Sequence, residues 1–422
     1  MRLFAQPSIL QKTKRDHQHL IRAYRKIESS NPETGGNTSV KIILGSQYFI
    51  YFGVMGVILP YFNLYCYHLG FSGFQIGVLS SLRTLATALF PMLWAMLADR
   101  FLIRRPIYIA CNIISMGAWS LYLLTTDFSL MFAITSLYGF FYAPIISFLE
   151  SFSMDLLGSQ KKGYGRLRAW GSLSFIVVVV LVGRAIDAAS TEIILVLVLA
   201  GSMLQALFSF AMPPGASKKT AGPATAARPF LKRRTVVFLF CAFIMLFSHG
   251  TYYGFFSIHL ENLGYSGLFT GLAWALASLS EIGVMLASEK IFKRFSYQKI
   301  LIFTFFAAGC RWIIMGMVTS VPLILFAQLL HALTYGAFHV ASILYMDELS
   351  PEKAKTTGQA INNAVTYGMG IMAGFLFNGY FFDIVSTSWL FYASGIIAFF
   401  GGLLFCAEHR FQAGSADLKK YY

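Results

Sequence analysis

Three ionisable side chains, Glu281, Arg311 and His331, stand deep inside apolar stretches of this 422-residue chain. Arg311 lies 12 residues past Lys299, about 18 Å along a helix that rises ~1.5 Å per residue. Glu281 lies nine residues before Lys290 and His331 ten after Val321, which places them about 13 and 15 Å from opposite ends of their helices. A charge held in hydrocarbon costs several kcal/mol unless it faces a cavity or a partner. A carboxylate, an imidazole and a guanidinium at a common depth can share a proton or form a switchable ion pair. A static interhelical pair is the alternative.

A second set of residues could recognise a solute. Glu150 precedes Arg168 by 18 positions. An arginine fork binds carboxylates or vicinal hydroxyls, and a glutamate accepts hydrogen bonds. Arg83 lies 16 positions before Asp99, with no acidic residue near it on its own helix. Arg83, Arg168 and Arg311 outnumber Glu150 and Glu281, so a shared cavity favours an anion such as a small carboxylate. Otherwise Arg83 snorkels to the outer surface. Tyr48, Tyr51, Tyr138, Trp170, His249, Tyr252, Tyr253 and Asn363 are further candidates for a cavity lining, and their aromatic rings would suit a ring-bearing solute. No nucleotide or metal motif occurs. The five cysteines show no ligand spacing, so no metal site, disulfide or cofactor is expected. Energy is expected from a proton gradient.

The elements that position these residues follow from composition. The chain is 57% hydrophobic and 12% charged, against about 25% charged in soluble domains. An ordinary soluble enzyme is excluded. Twelve apolar stretches approach the roughly 20 residues that cross a bilayer, so the predicted fold is all-α and polytopic, with two six-helix bundles. The bundles span 42–212 and 235–407. A basic arm (1–41), a linker (213–234) and a tail (408–422) complete the chain. No signal-peptide core precedes the first span.

The net charge of +15 first suggests nucleic acid. Thirty of the 33 Lys and Arg residues instead fall in alternate loops and the two ends, and the intervening loops carry none. A nucleic-acid patch would not alternate with apolar spans. The positive-inside rule puts both termini and the linker in the cytoplasm. The halves also repeat: Leu69-Gly70-Phe71-Ser72-Gly73 entering the second span is echoed by Leu263-Gly264-Tyr265-Ser266-Gly267 entering the eighth. Met96-Leu97-Ala98 with Arg104-Arg105 is echoed by Met285-Leu286-Ala287 with Lys293-Arg294. Two such repeats around a midplane site are a transporter architecture.

Leu97-Ala98-Asp99-Arg100 followed by Arg104-Arg105 resembles the cytoplasmic loop signature of the major facilitator superfamily, with Ala95 and Leu102 where that pattern has glycine. Asp99, Arg100, Arg104 and Arg105 are accordingly expected to latch neighbouring helix ends. Tyr51 to Pro60, and Tyr164-Gly165-Arg166-Leu167-Arg168-Ala169-Trp170-Gly171-Ser172, resemble the first and fifth helices of the lactose permease group, which extends to phenylpropionate permeases and nucleoside–proton symporters. The resemblance implies substrate contacts by Glu150 and Arg168, and a coupling set of Glu281, Arg311 and His331. Thr334 stands where the sugar symporters carry a carboxylate. Neither their helix-seven acids nor their helix-eleven lysine is present.

The expected function is proton-coupled import of a small organic solute through an inner membrane, by a monomer whose partners are solute, protons and lipid. Arg83, Glu150, Arg168, Trp170 and Asn363 would contact the solute. A sugar or nucleoside symporter, a drug exporter and a non-transporting receptor are the rivals. Three arginines in the spans disfavour the exporter, whose ligands are often cationic, and a scaffold has no need of charges at mid-membrane depth.

Overall fold

The computed structural model describes residues 35–158, 163–214 and 228–421. Most of the basic arm, Lys161, Lys162 and most of the linker lie outside the described residues. The described residues are helical apart from short connections. The first half contains α1 (Gly35–His68), α2 (Gly73–Phe101), α3 (Arg104–Ser120), α4 (Phe128–Leu157), α5 (Tyr164–Ala188) and α6 (Ile193–Ser209). The second contains α7 (Arg233–Asn262), α8 (Gly267–Arg294), α9 (Tyr297–Met317), α10 (Val321–Leu349), α11 (Glu352–Phe382) and α12 (Thr387–Tyr421). Eleven of these are long and apolar enough to cross a membrane. The sixth predicted span is the exception: α6 is apolar but only 17 residues long, about 25 Å.

Large apolar side chains lie on outward faces, among them Leu286 at 83% exposure and Met92 at 70%. Lipid, not protein, covers such surfaces in a spanning bundle. Cys310 also faces outward, whereas Cys66, Cys111 and Cys241 are buried; one face of each helix must meet lipid, so an apolar segment does not imply burial of each of its residues.

The two sequence repeats build matching corners. Gly70 and Gly264 turn the chain at φ +79° and +84°, a region closed to most side chains. Ser72 and Ser266 then cap α2 and α8, each hydroxyl accepting a backbone N–H three residues on. At these corners the halves interlock. Asp383, after α11, accepts from Gly73 N at 2.9 and 3.1 Å. Asp187, at the end of α5, accepts from Gly267 N at 2.6 Å and Leu268 N at 2.9 Å. His68 meets Glu261 at 2.6 Å beside them. Backbones touch where glycines cross: a Cβ on Gly183 would lie 2.1 Å from the Gly267 carbonyl oxygen.

At the other, basic end the ion pairs seen among the described residues lie within one half. Arg104 bridges Asp99 (3.5 Å) and Asp155 (2.7 Å), and Arg105 donates to the Phe210 carbonyl. Arg100 lies 5.4 Å from the Phe101 ring. Arg234–Glu348 and Arg233–Glu408 are their counterparts in the second half. The loop residues thus join helix ends inside a bundle, and the halves meet at the acidic end.

Leu102 ends α2 with φ +58°, at the place where the facilitator loop pattern has glycine. A non-glycine residue pays about 1–2 kcal/mol in this conformation. Its side chain is 58% exposed, so little packing is lost on removing it. Leu102→Gly is expected to stabilise the purified protein by about 1 kcal/mol, read as a higher melting temperature. An unchanged or lower value would show that the loop relieves the strain elsewhere.

Candidate functional site

Between the halves lies a cavity of about 820 Å³, walled by α1, α2, α4, α5, α7, α8, α10 and α11. Its size suits a small organic ligand. A smaller cleft of about 360 Å³ at the acidic end is lined by Tyr67, Asn262, Phe382 and their neighbours, with no Asp, Glu, Lys or Arg among them. The charged groups on the large cavity are Arg83, Arg168 and Glu281, with His331 and His339 as its imidazoles.

The three deep ionisable residues meet. Glu281 Oε1 is 2.8 Å from His331 Nε2. Arg311 Nη1 is 2.7 Å from His331 Nδ1 and donates to Thr334 Oγ1 at 3.1 Å. Its Nε donates to the Ala327 carbonyl at 2.8 Å and its Nη2 to Gln328 Oε1 at 3.3 Å. Tyr252 and Trp312 lie on its faces at 4.4 and 4.5 Å. Arginine can only donate, so His331 Nδ1 must be the acceptor. The ring's one hydrogen is then on Nε2, directed at Glu281. Arg311 is fully buried behind the wall and His331 is 3% exposed, whereas Glu281 is 19% exposed and borders the cavity. The carboxylate is therefore the most exposed member of the chain.

His339, absent from the candidates read from the sequence, extends this wall. Its Nδ1 is 2.6 Å from the Tyr367 hydroxyl. Its ring stacks on Tyr335, which stacks on His331. The column follows from spacing: residues 331, 335 and 339 are four apart, on one helix face. Tyr335 and Tyr367 sit in π-helical segments, Ala332–Ala337 of α10 and Ala364–Gly370 of α11. Both carry Thr-Tyr-Gly. Such segments concentrate at functional sites.

Arg83 turns inward to the cavity and does not snorkel. Its Nη2 donates to Asn63 Oδ1 at 2.7 Å and Ser80 Oγ at 3.2 Å. Its guanidinium lies 4.7 Å from the Phe62 ring. Arg168 borders the cavity with its guanidinium 3.6 Å from the Phe52 ring. It is not at ion-pair distance from Glu150, which is exposed and accepts from the Tyr164 hydroxyl at 3.3 Å. Trp170 is 51% exposed and packs near Gly45, away from the cavity lining. Asn363 is exposed and also outside the lining; its neighbour Asn362 is the buried one, bonded to Ser342 and Thr366. Tyr51, Tyr138 and Tyr253 line the cavity; Tyr48, His249 and Tyr252 are buried behind it. Among the described residues no group of three His, Cys, Asp or Glu is placed to hold a metal ion.

The sequence pattern of the MFS_1 like family matches residues 41–393. The chain belongs to that family. A probable 3-phenylpropionic acid transporter of Escherichia coli K12 is 27% identical over 79% of this chain and 90% of its own length. The maltose permease of Geobacillus stearothermophilus is 25% identical over 90% of this chain and 98% of its own. Among solved structures, the nucleoside transporter NupG superposes with a TM-score of 0.79 at 17% identity, covering 87% of this chain and 98% of that one. The protein is a multi-pass membrane protein and a secondary transporter of small molecules, with the major facilitator fold.

Proposed function

We propose that this facilitator-family protein is a proton-coupled symporter that imports a small organic solute, an aromatic carboxylate being the class the cavity favours. The observation that carries the coupling is the Glu281–His331–Arg311 chain, with its carboxylate on the cavity wall. Glu281 carries the proton. Arg311 occupies one nitrogen of His331, so the imidazole orients the carboxylate and holds its own hydrogen toward it. Thr334, at the position of the sugar symporters' carboxylate, accepts from Arg311 instead.

Two features support the anionic, ring-bearing solute. Arg83 and Arg168 border the cavity against one carboxylate, Glu281. The wall between them is aromatic, with Tyr51, Tyr142 and Tyr138 stacked in sequence at 5.2 and 4.7 Å. The 3-phenylpropionic acid transporter among its relatives agrees with this class. A sugar or nucleoside symporter is the second reading, favoured by the maltose permease and nucleoside transporter relatives. The interlocked acidic end and the cavity between the halves support alternating access.

The test is uptake of labelled 3-phenylpropionate, maltose and a nucleoside into proteoliposomes. An imposed pH gradient, acidic outside, is expected to accelerate uptake of the carboxylate and to leave the other two near background. Carboxylate uptake indifferent to the gradient would remove the proton coupling, and uptake of only maltose or the nucleoside would move the substrate to the second reading.

A further inference from the structure

Three polar atoms on one wall of the cavity lack a partner beyond that wall. Arg83 Nη1 is buried and makes no hydrogen bond, and the hydroxyls of Tyr138 and Tyr142 are buried with no partner outside their own pair. All three side chains border the cavity. A buried polar group left unpaired carries its full desolvation cost, so native structures pair nearly all of them. One such atom could be a packing accident. Other buried polar atoms without a partner are scattered through the bundle, but these three belong to side chains that border one cavity wall, and one of them is on a guanidinium.

The surroundings select the chemistry of an acceptor for them. Arg83 forms no ion pair with a carboxylate among the described residues, and its hydrogen bonds run only to the neutral side chains of Asn63 and Ser80. Phe62 lies under the guanidinium, Trp119 lies 5.7 Å from Phe62, and Tyr138 lies 5.0 Å from Trp119. The cation is thus built into an aromatic frame, with Nη2 fixed by Asn63 and Ser80 and Nη1 left over. Asn63 is itself held from the other half, donating to the Gly254 carbonyl at 2.9 Å. A fixed guanidinium with a spare N–H beside two phenol donors matches an oxyanion with two oxygens. Arg168 is built differently: its guanidinium lies on Phe52, and among the described residues no hydrogen bond or ion pair fixes its nitrogens as Asn63 and Ser80 fix those of Arg83.

We infer that Arg83, with the Tyr138 and Tyr142 hydroxyls, is the receptor of the substrate's carboxylate, and that Arg168 contributes to the cavity wall without reading that charge. The inference rests on the carboxylate reading above. It adds which atoms read the anion. The stack of Tyr142 and Tyr51 continues from the receptor and gives the substrate ring a surface parallel to its own.

The experiment is equilibrium binding to the purified full chain in detergent. The probes are benzoate, phenylacetate and 3-phenylpropionate, each paired with its uncharged amide. The wild-type protein is expected to prefer acid over amide. Arg83→Gln should remove that preference and weaken acid binding by about 100-fold, the scale of a lost buried charge contact. Tyr138→Phe should weaken the acid about tenfold and leave the amide little changed. It deletes one hydroxyl, so it keeps the inference testable if Arg83→Gln fails to fold. Arg168→Gln should weaken acid and amide alike. The inference is overturned if the preference survives both Arg83→Gln and Tyr138→Phe, or disappears only in Arg168→Gln. Equal binding of acids and amides by the wild-type protein would remove the carboxylate reading and the receptor together. Acid binding that depends on Arg83, with uptake indifferent to a pH gradient, would support the receptor and sink only the coupling.

Discussion

Glu281→Gln is expected to abolish concentrative uptake driven by a pH gradient while leaving solute exchange across the membrane intact. Each pH unit is worth about 1.4 kcal/mol, so a two-unit gradient at one proton per solute supports roughly 100-fold accumulation. The variant should only equilibrate. The substitution is isosteric. The glutamine amide oxygen still accepts the His331 Nε2 hydrogen that Glu281 Oε1 accepts at 2.8 Å, so the wall keeps its shape. What is lost is the group that can take up and release a proton while facing the cavity. His331 cannot replace it in this arrangement. A second ring hydrogen on Nδ1 would face the Arg311 Nη1 hydrogen across 2.7 Å. Two unit charges about 4 Å apart repel by about 4 kcal/mol even at an effective dielectric of ~20. Counterflow, driven by solute alone, separates coupling from binding. Full counterflow with no gradient-driven accumulation is the expected pair of results. Accumulation retained by Glu281→Gln would move the proton to another group, with His339 the next on that wall.

The meeting of Glu281, Arg311 and His331 is legible in the sequence because helical rise is uniform. Counting residues from the charged ends of α8 and α9 and the outer end of α10 is enough to assign a common depth. Rotation about the helix axis is harder to foresee. Asn363 and Asn362 differ by about 100° around α11, and the π-helical segment that begins at Ala364 changes the turn just there; the buried position is Asn362. Depth and motif single out Trp170 and Glu150, but neither reports which face meets the cavity. For His339 a signal does exist, since its spacing from His331 puts it on the same face. The repeats at Gly70–Gly73 and Gly264–Gly267 are visible as repeats. Their use as an interlock is not, because the carboxylates that complete it come from 310 and 80 residues away in the chain.

That interlock yields the second large effect. The double substitution Asp187→Asn with Asp383→Asn is expected to open the acidic end. At each corner a carboxylate of one half accepts the first free N–H groups of a helix in the other, where the helix dipole also favours negative charge. Both carboxylates are exposed, so each contributes about 1 kcal/mol rather than the larger value of a buried charge. Losing both, about 2 kcal/mol, changes the ratio of the two access states about 30-fold. A cysteine replacing Ile58, which lines the cavity, reports the change in a background without the native cysteines. Impermeant maleimide added at the acidic face should label it faster in the double variant, and labelling from the basic face should slow. Gly183→Ala must give the same shift by a different cause. Its methyl group would lie 2.1 Å from the Gly267 carbonyl oxygen, and backbone cannot move aside as a flexible side chain can. The carboxylate variant weakens the closed end by removing attraction, the glycine variant by adding repulsion. Agreement between them would place the gate at these corners. Unchanged labelling in both would mean that the apolar crossings of α2 with α11 and α5 with α8 hold the end closed without the carboxylates and tolerate the added methyl.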